Sequence, residues 1–357
     1  MTFFKIISIF DESAFEDVKI NLMTTIYDIA KKTGFSITTV SRALNNYSDV
    51  SEKTKKLILE AVEEMHYYPN SVARTLSTKK SWALGIIFVE DLGIGMKHPF
   101  FNSVIEGFKK SVEKKGYDLI FLNRNVGGVK MSYLDHALHR GVDGIAVVSS
   151  NYDDSEVEKI IASTLPNVII DLHSTKSNVV YSDNLHGCEL AIDHLYSLGH
   201  RKIAHIAGHP KTFVGLERLK GFKSAMKNHG LDIHKRFVVD GGLFSAEGGY
   251  NAMRKLLQMK DRPTAVFAAG DNMAFGAMKA IREAGLKVPE DFSVIGFDDI
   301  ELAGEITPFL TTIKQDMDKI GEKAAEVLLQ GIDNKSEPST CIVPIELIKR
   351  ESTKSVN

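Results

Sequence analysis

From Trp82 onward, short runs of unbroken apolar residues alternate with longer amphipathic stretches, and this alternation restricts the fold more than any other feature of the chain. The runs are "ALGIIFV", "YDLIFL", "GIAVVSS", "NVIIDL", "KIAHIAG", "TAVFAAG" and "FSVIGFDD". A strand that is apolar at every position must be covered on both faces, as in a parallel sheet flanked by helices. Helices are expected between the runs over Phe101 to Lys115, Leu185 to Leu198, Leu216 to His229 and Met273 to Ala284. These are too many units for one compact sheet. Two doubly wound parallel-sheet subdomains are expected, sharing a ligand site beyond the carboxyl ends of their strands.

The region before Trp82 is patterned differently. Thr25 with Asp28 three residues later marks a helix start, and Gly34 suits the left-handed residue that ends a helix. Ser36 opens a second short helix with Val40, Ala43 and Leu44 on one side, and Ser51 opens a third with Leu57, Ile58, Ala61, Val62 and Met65 as its apolar stripe. A helix, a tight turn and a second helix make an all-α helix-turn-helix head over 23–69. The polar stretch "NSVARTLSTKKS", 70–81, is too short for a stable isolated helix and reads as a linker that becomes helical with a partner. Residues 1–22 fit nothing that follows. They are read as an extension, either a disordered arm or the product of an upstream start assignment.

At 357 residues with 25% charged and 43% hydrophobic content, the chain has the composition of a soluble, multidomain protein. The net charge of -2 conceals a local excess: 23–81 holds nine Lys or Arg against six Asp or Glu. Two cysteines far apart, no signal peptide and no apolar run near the ~18 residues of a membrane span predict a cytoplasmic protein with no membrane partner. On the second helix, Thr38, Arg42 and Asn45 face away from the apolar side, with Ser41 beside them and Ile37 at the boundary. Arginine, hydroxyls and a methyl-bearing side chain can read base edges in a major groove, and the lack of carboxylates on "GFSITTVSRALNN" suits a polyanionic partner.

"TIYDIAKKTGFSITTVSRALNN" and "VSEKTKKLILEAVEEMHYYPNSVARTLSTKKSWALGIIF" resemble the head of lac-repressor-type (LacI/GalR) transcriptional regulators. The resemblance continues through "RKIAHIAG", "ERLKGF", "AAGDNMAFGAMKAI", "FSVIGFDDIELA" and "LTTIKQDMDKIGEKAAEVLL", in the family's order. It implies a homodimeric, bacterial nucleoid-associated repressor with a periplasmic-binding-protein-like core. Each recognition helix would enter one half-site of a pseudo-palindromic operator. By the same resemblance, Ile37, Thr38 and Arg42 face bases, while Thr25, Tyr27, Ser36, Thr39, Ser41 and Asn45 hold phosphates or orient the helix. Asn70 to Ser77 corresponds to the family's hinge helix, with Asn70, Ala73 and Leu76 toward DNA and Leu76 as a minor-groove wedge. The core divides, on this basis, into an N-subdomain (82–181 and 315–344) and a C-subdomain with the tail (182–314 and 345–357). No leucine heptad follows "IKRESTKSVN", so a dimer is expected rather than a tetramer.

Polar residues stand just after the apolar runs, where a cleft would lie: Asp171, Asp271 and Asp298, with Gln315 in "TIKQD", Arg218 expected to open a helix, and Asp91 as a weaker candidate. Carboxylates, arginine and amides pair with adjacent sugar hydroxyls, and aromatics such as Phe100, Tyr181 and Phe244 can cover an apolar sugar face. An Asp after a strand also often caps the next helix. The resemblance places Asp171, Arg218, Asp298 and Gln315 at effector-contacting positions, and the Phe100-Phe101-Asn102 stretch on the same cleft. Gly270 departs from the lac repressor, which has an asparagine there, so the ligand need not be a galactoside.

Enzyme signatures are absent. "GIGMKH" lacks the third glycine of a dinucleotide fingerprint, and there is no Walker loop or GxSxG elbow. His205 and His209 have no cysteine or carboxylate at ligand spacing, so neither a metal nor a cofactor is expected. The expected function is therefore an operator-binding repressor, controlled by a small effector of sugar type between the core subdomains. Two alternatives share the core: a regulator whose corepressor is a phosphorylated carrier protein, and a sugar-binding transport protein.

Overall fold

The computed structural model describes residues 24–68, 80–89, 95–149, 154–334 and 337–356. The 1–22 extension, the hinge residues Asn70, Ala73 and Leu76, and Asp91 lie outside these ranges. The chain forms two compact units, one up to Ser81 and one from Trp82.

The head contains α1 (Ile26–Thr33), α2 (Ile37–Leu44) and α3 (Glu52–Glu64). Asp28 accepts from the Thr25 backbone N–H at 2.8 Å, satisfying a donor that the helix start would leave open. Gly34 ends α1 at φ 74°, a left-handed value that costs glycine nothing because it has no Cβ. The Ser36 hydroxyl accepts from the Thr39 N–H at 3.1 Å, and that of Ser51 from the Thr54 N–H at 3.2 Å. Ile29, Val40, Ala43, Val50, Ile58 and Tyr67 make a small shared core. The stripe on α3 is narrower than expected. Leu57 is 46% exposed, because Ile58 is the residue that turns inward.

In the core, β1 (Ala83–Val89), β2 (Asp118–Phe121), β5 (Gly144–Ser149), β6 (Asn167–Ile170), β7 (Asn178–Ser182) and β13 (Thr340–Val343) form a parallel sheet in the order β13-β7-β6-β5-β1-β2. A second sheet joins β8 (Ile203–Ala207), β9 (Val238–Asp240), β10 (Ala265–Ala268), β11 (Ser293–Asp298), β12 (Thr311–Gln315) and β14 (Ile345–Ile348) in the order β14-β12-β11-β10-β8-β9, with β14 antiparallel to β12. The helices are α4 (Pro99–Glu113), α5 (Tyr133–Arg140), α6 (Ser155–Ile161), α7 (Asn184–Ser197), α8 (Phe213–Asn228), α9 (Ala246–Leu257), α10 (Asp271–Glu283) and α11 (Met317–Asn334).

The unbroken apolar runs are explained by burial on both faces. Leu84 and Ile86 pack with Val104, Phe108 and Leu328, while the adjacent Ile87 joins Ile145, Val147 and Ile160 on the opposite side. In the second sheet Val266 and Val294 serve one face, and Phe267, Ile295 and Phe297 the other. Each fully buried side chain of this size contributes about 1.5–3 kcal/mol. The chain passes between the sheets after β7, after β12 and between β13 and β14. Gln315 thus closes a strand of the second sheet, whereas the expected boundary assigned it to the first subdomain.

Two local features differ from expectation. Helix α8 begins at Phe213, so Arg218 lies in its second turn instead of opening it. A small hairpin of β3 (Asn125–Val126) and β4 (Val129–Lys130), turning on Gly127-Gly128, was not foreseen because its strands are only two residues long. No helix among the described residues is long and apolar enough to cross a membrane.

Candidate functional site

On the head, α2 carries its polar face outward. Ile37 is 40% and Tyr27 68% exposed, and Thr38 and Arg42 are also exposed. Several of the residues expected to hold phosphates are already engaged locally. Ser36 caps α2 and bonds the Thr39 hydroxyl at 2.9 Å, Asn45 donates to the Ser41 carbonyl at 2.9 Å, and the Thr25 hydroxyl donates to Asp28 at 2.7 Å. The Ser36 and Asn45 contacts shape the helix that presents Ile37, Thr38 and Arg42, and the Thr25 contact caps α1.

In the core, the strand order of each sheet reverses beside its first strand, where doubly wound sheets bind ligands at the carboxyl ends. A cavity opens there. It is lined by Phe100, Asp171, Arg218, Phe244, Asp298 and Gln315 from the expected set, by Phe101 beside them, and by His98, Thr212, Phe213, Val214 and Leu243. The last five lie at helix starts or in loops whose approach to the cleft no local pattern signals, although Thr212 is recognisable as an N-cap, accepting from Gly215 at 3.1 Å.

Arg218 is the centre of the polar cluster. It is 3% exposed, donates from Nε to Asn184 Oδ1 at 2.9 Å and from Nη1 to the Ala269 carbonyl at 2.5 Å, and lies 3.7 Å over the Phe297 ring. Its Nη1 is 3.4 Å from Asp298 Oδ1, which also accepts from Gln315 Nε2 at 2.7 Å. Asp171 Oδ1 and Gln315 Oε1 are buried acceptors that receive no hydrogen bond among the described residues. Burial pushes the Asp171 carboxyl up to about 7 despite the nearby Arg218, and burial also raises Asp298. Asp171, Phe244 and Asp298 hold positive φ values of 56°, 57° and 119°, which non-glycine residues seldom adopt. Such strain at about 1–3 kcal/mol per residue is typical of sites where side chains are aimed at a ligand.

Two expected residues are placed elsewhere. Asp271 is fully buried, and its carboxylate accepts from the Thr312 hydroxyl at 2.6 Å and the Ile300 N–H at 2.9 Å. Burial, and then the charge of Asp298, raise its pKa well above the ordinary value. Its role is to tie α10 to β12 and the segment after β11. Tyr181 does not line the cavity but packs edge-on against Phe213, which does, with ring centroids 5.1 Å apart. Gly270 has a steric role beside them. A Cβ there would stand 3.3 Å from the Phe244 ring and 3.4 Å from Asp298 Oδ2, so the glycine leaves space for the phenylalanine.

His205 stacks between Phe222 and Phe267 and shares a 2.9 Å hydrogen bond with the Phe267 carbonyl, while burial pushes its pKa down to about 4. It is a neutral core residue. No group of three or more His, Cys, Asp or Glu among the described residues is arranged to hold a metal.

A helix-turn-helix head and a core of two doubly wound sheets with a cleft at the strand ends define a regulator with a periplasmic-binding-protein-like core. Residues 25–70 match the bacterial regulatory proteins of the lacI family, and residues 192–353 match the periplasmic binding protein-like domain. An HTH-type transcriptional repressor PurR of Pectobacterium carotovorum is 37% identical over 336 residues, covering 92% of this chain and 97% of the relative. The lac repressor dimer bound to operator and the anti-inducer ONPF superposes with TM-score 0.79 at 28% identity, covering 93% and 99% of the two chains. A transcriptional regulator CelR–cellobiose complex gives 0.68 at 27%, over 92% and 100%. An Enterococcus faecium regulator of the family with bound ribose gives 0.65 at 30%, over 77% and 100%. The chain belongs to the lacI family of bacterial regulatory proteins and is a DNA-binding transcriptional repressor.

Proposed function

We propose that this repressor acts as a cytoplasmic homodimer on a pseudo-palindromic operator, and that a neutral carbohydrate bound between its core subdomains sets its operator affinity. The observation that carries the ligand class is the pair of buried acceptors, Asp171 Oδ1 and Gln315 Oε1, that receive no hydrogen bond among the described residues. A sugar hydroxyl both donates and accepts, so a row of hydroxyls serves these oxygens and the Arg218 guanidinium together. The four phenylalanines of the cleft suit the C–H face of a sugar ring. The Arg218 guanidinium is already engaged by Asn184, the Ala269 carbonyl and Asp298, which disfavours a phosphorylated or acidic ligand. The sugars named for the CelR and Enterococcus structures point the same way.

Because the cleft is lined by Asp171 at the end of a first-sheet strand and by Asp298 and Gln315 at the ends of second-sheet strands, a ligand there touches both subdomains and stabilises one relative arrangement. Its differential affinity for that arrangement shifts operator binding through the 70–81 hinge. A thermal-shift screen of neutral sugars, sugar phosphates and purines tests the ligand class. A ligand at a hundred times its Kd adds about 2.7 kcal/mol to the folded state. A neutral sugar should raise Tm and alter operator affinity, and Asp171→Asn should weaken both effects. Stabilisation by purines or sugar phosphates alone, or an operator response only to a phosphorylated carrier protein, would overturn this reading.

A further inference from the structure

We infer that Asp49 is the positioning residue for Arg42 and thereby sets how sharply the head distinguishes its operator from other DNA. The inference rests on the reading of α2 as the recognition helix. Arg42 is held at two points. Its Nη2 lies 2.6 Å from Asp49 Oδ2, and its Nε donates to Asp49 Oδ1 at 3.2 Å. The guanidinium carbon also stands 4.9 Å from the centre of the Tyr47 ring.

Both partners come from the turn between α2 and α3, which is itself fixed. The Tyr47 N–H donates to the Arg42 carbonyl at 3.0 Å, and Val50, next to Asp49, is buried in the core of the head. Asp49 is thus anchored by its neighbour while its carboxylate reaches back over the recognition helix.

The chemistry of the guanidinium gives this contact a direction. Its five N–H groups form a side fork, from Nε and one Nη, and an end fork from the two Nη atoms. Asp49 occupies the side fork. The end fork is left to meet a planar pair of acceptors, and in the major groove that pair is O6 and N7 of guanine. The Arg42 side chain remains 44% exposed, so the pair with Asp49 does not enclose it. A flexible arginine would have to lose its rotamer freedom on binding, whereas one braced by Asp49 and Tyr47 has lost much of it beforehand.

The same carboxylate is 55% exposed near a surface that meets phosphates, so it weakens attraction to every duplex alike. Asp49 therefore has two effects of opposite sign: it sharpens preference and lowers general affinity.

The test uses the full-length protein with a duplex selected by the wild type from a random library and a scrambled duplex of equal length. Asp49→Asn should bind the scrambled duplex more tightly while its ratio of selected to scrambled affinity falls roughly threefold to fivefold, the range open to a well-formed exposed ion pair. In an Arg42→Ala background the same substitution should leave that ratio unchanged. If Asp49→Asn strengthens both duplexes equally, or alters the ratio without Arg42, the positioning role is wrong. If Arg42→Ala alone leaves the ratio intact, the recognition-helix reading fails instead.

Discussion

The Thr312 hydroxyl donates a 2.6 Å hydrogen bond to Asp271 Oδ1 in the interior of the second sheet, and this pair joins the first residue of α10 to β12. The other carboxylate oxygen accepts from the Ile300 N–H at 2.9 Å. Asp271→Ala would strand both donors in a dry site. An unfolding free-energy loss of roughly 2–4 kcal/mol is expected from two buried unpaired groups. Denaturant unfolding measures it, and a change in ligand affinity at unchanged stability would contradict the structural role.

The Asp171 carboxyl, at about 7 against an ordinary 3.8, makes the core sensitive to pH. Between those values the folded protein retains a proton that the unfolded chain has released. The stability from this group is fully present below about pH 4 and is lost as pH rises to about 7, with a slope of up to about 1.4 kcal/mol per pH unit. Asp271 and Asp298 are shifted in the same direction. A hydroxyl donating to ionised Asp171 reverses the trend for binding, so sugar affinity should rise toward pH 7. Melting curves and titrations from about pH 4 to about pH 8 check both slopes, and Asp171→Asn should flatten them.

Gly270 has φ -161°, an extended value open to any residue, so a side chain there meets no backbone strain. It does meet the Phe244 ring at 3.3 Å. Gly270→Asn should push that ring from the cleft and lower ligand affinity about tenfold, equivalent to about 1.4 kcal/mol. Calorimetric titration reads the effect. Unchanged affinity would mean that the glycine does not set the seat of Phe244.

Leu76 carries the hinge expectation. Leu76→Ala should weaken operator binding by more than about tenfold, since unstacking a base step needs an apolar wedge. The melting temperature of the core should not move. Undiminished band-shift affinity would remove Leu76 from the interface.

Much of this protein is legible in its residue order. Unbroken apolar runs require two covered faces, so Leu84, Ile86 and Ile87 announce a parallel sheet before any packing is known. Gly34, Ser36 and Ser51 mark helix ends by chemistry that acts within four residues. The acids at the strand ends are equally visible, because a residue's position relative to an apolar run is a local property. Which of them faces a ligand is not local. Asp171 and Asp298 open onto the cleft, while Asp271 turns inward because the alignment of β12 brings Thr312 within 2.6 Å of it. The seat of Phe244 against Gly270 joins residues 26 positions apart, and the brace of Asp49 on Arg42 depends on how a turn folds back over a helix. Sequence by itself determined the seven apolar strands, the capped helix starts of the head and the chemistry available at their ends, because backbone propensity and hydrophobic period act over a few residues. Only the tertiary structure decided which ends converge, since strand alignment and loop path bring together groups that are distant in the chain.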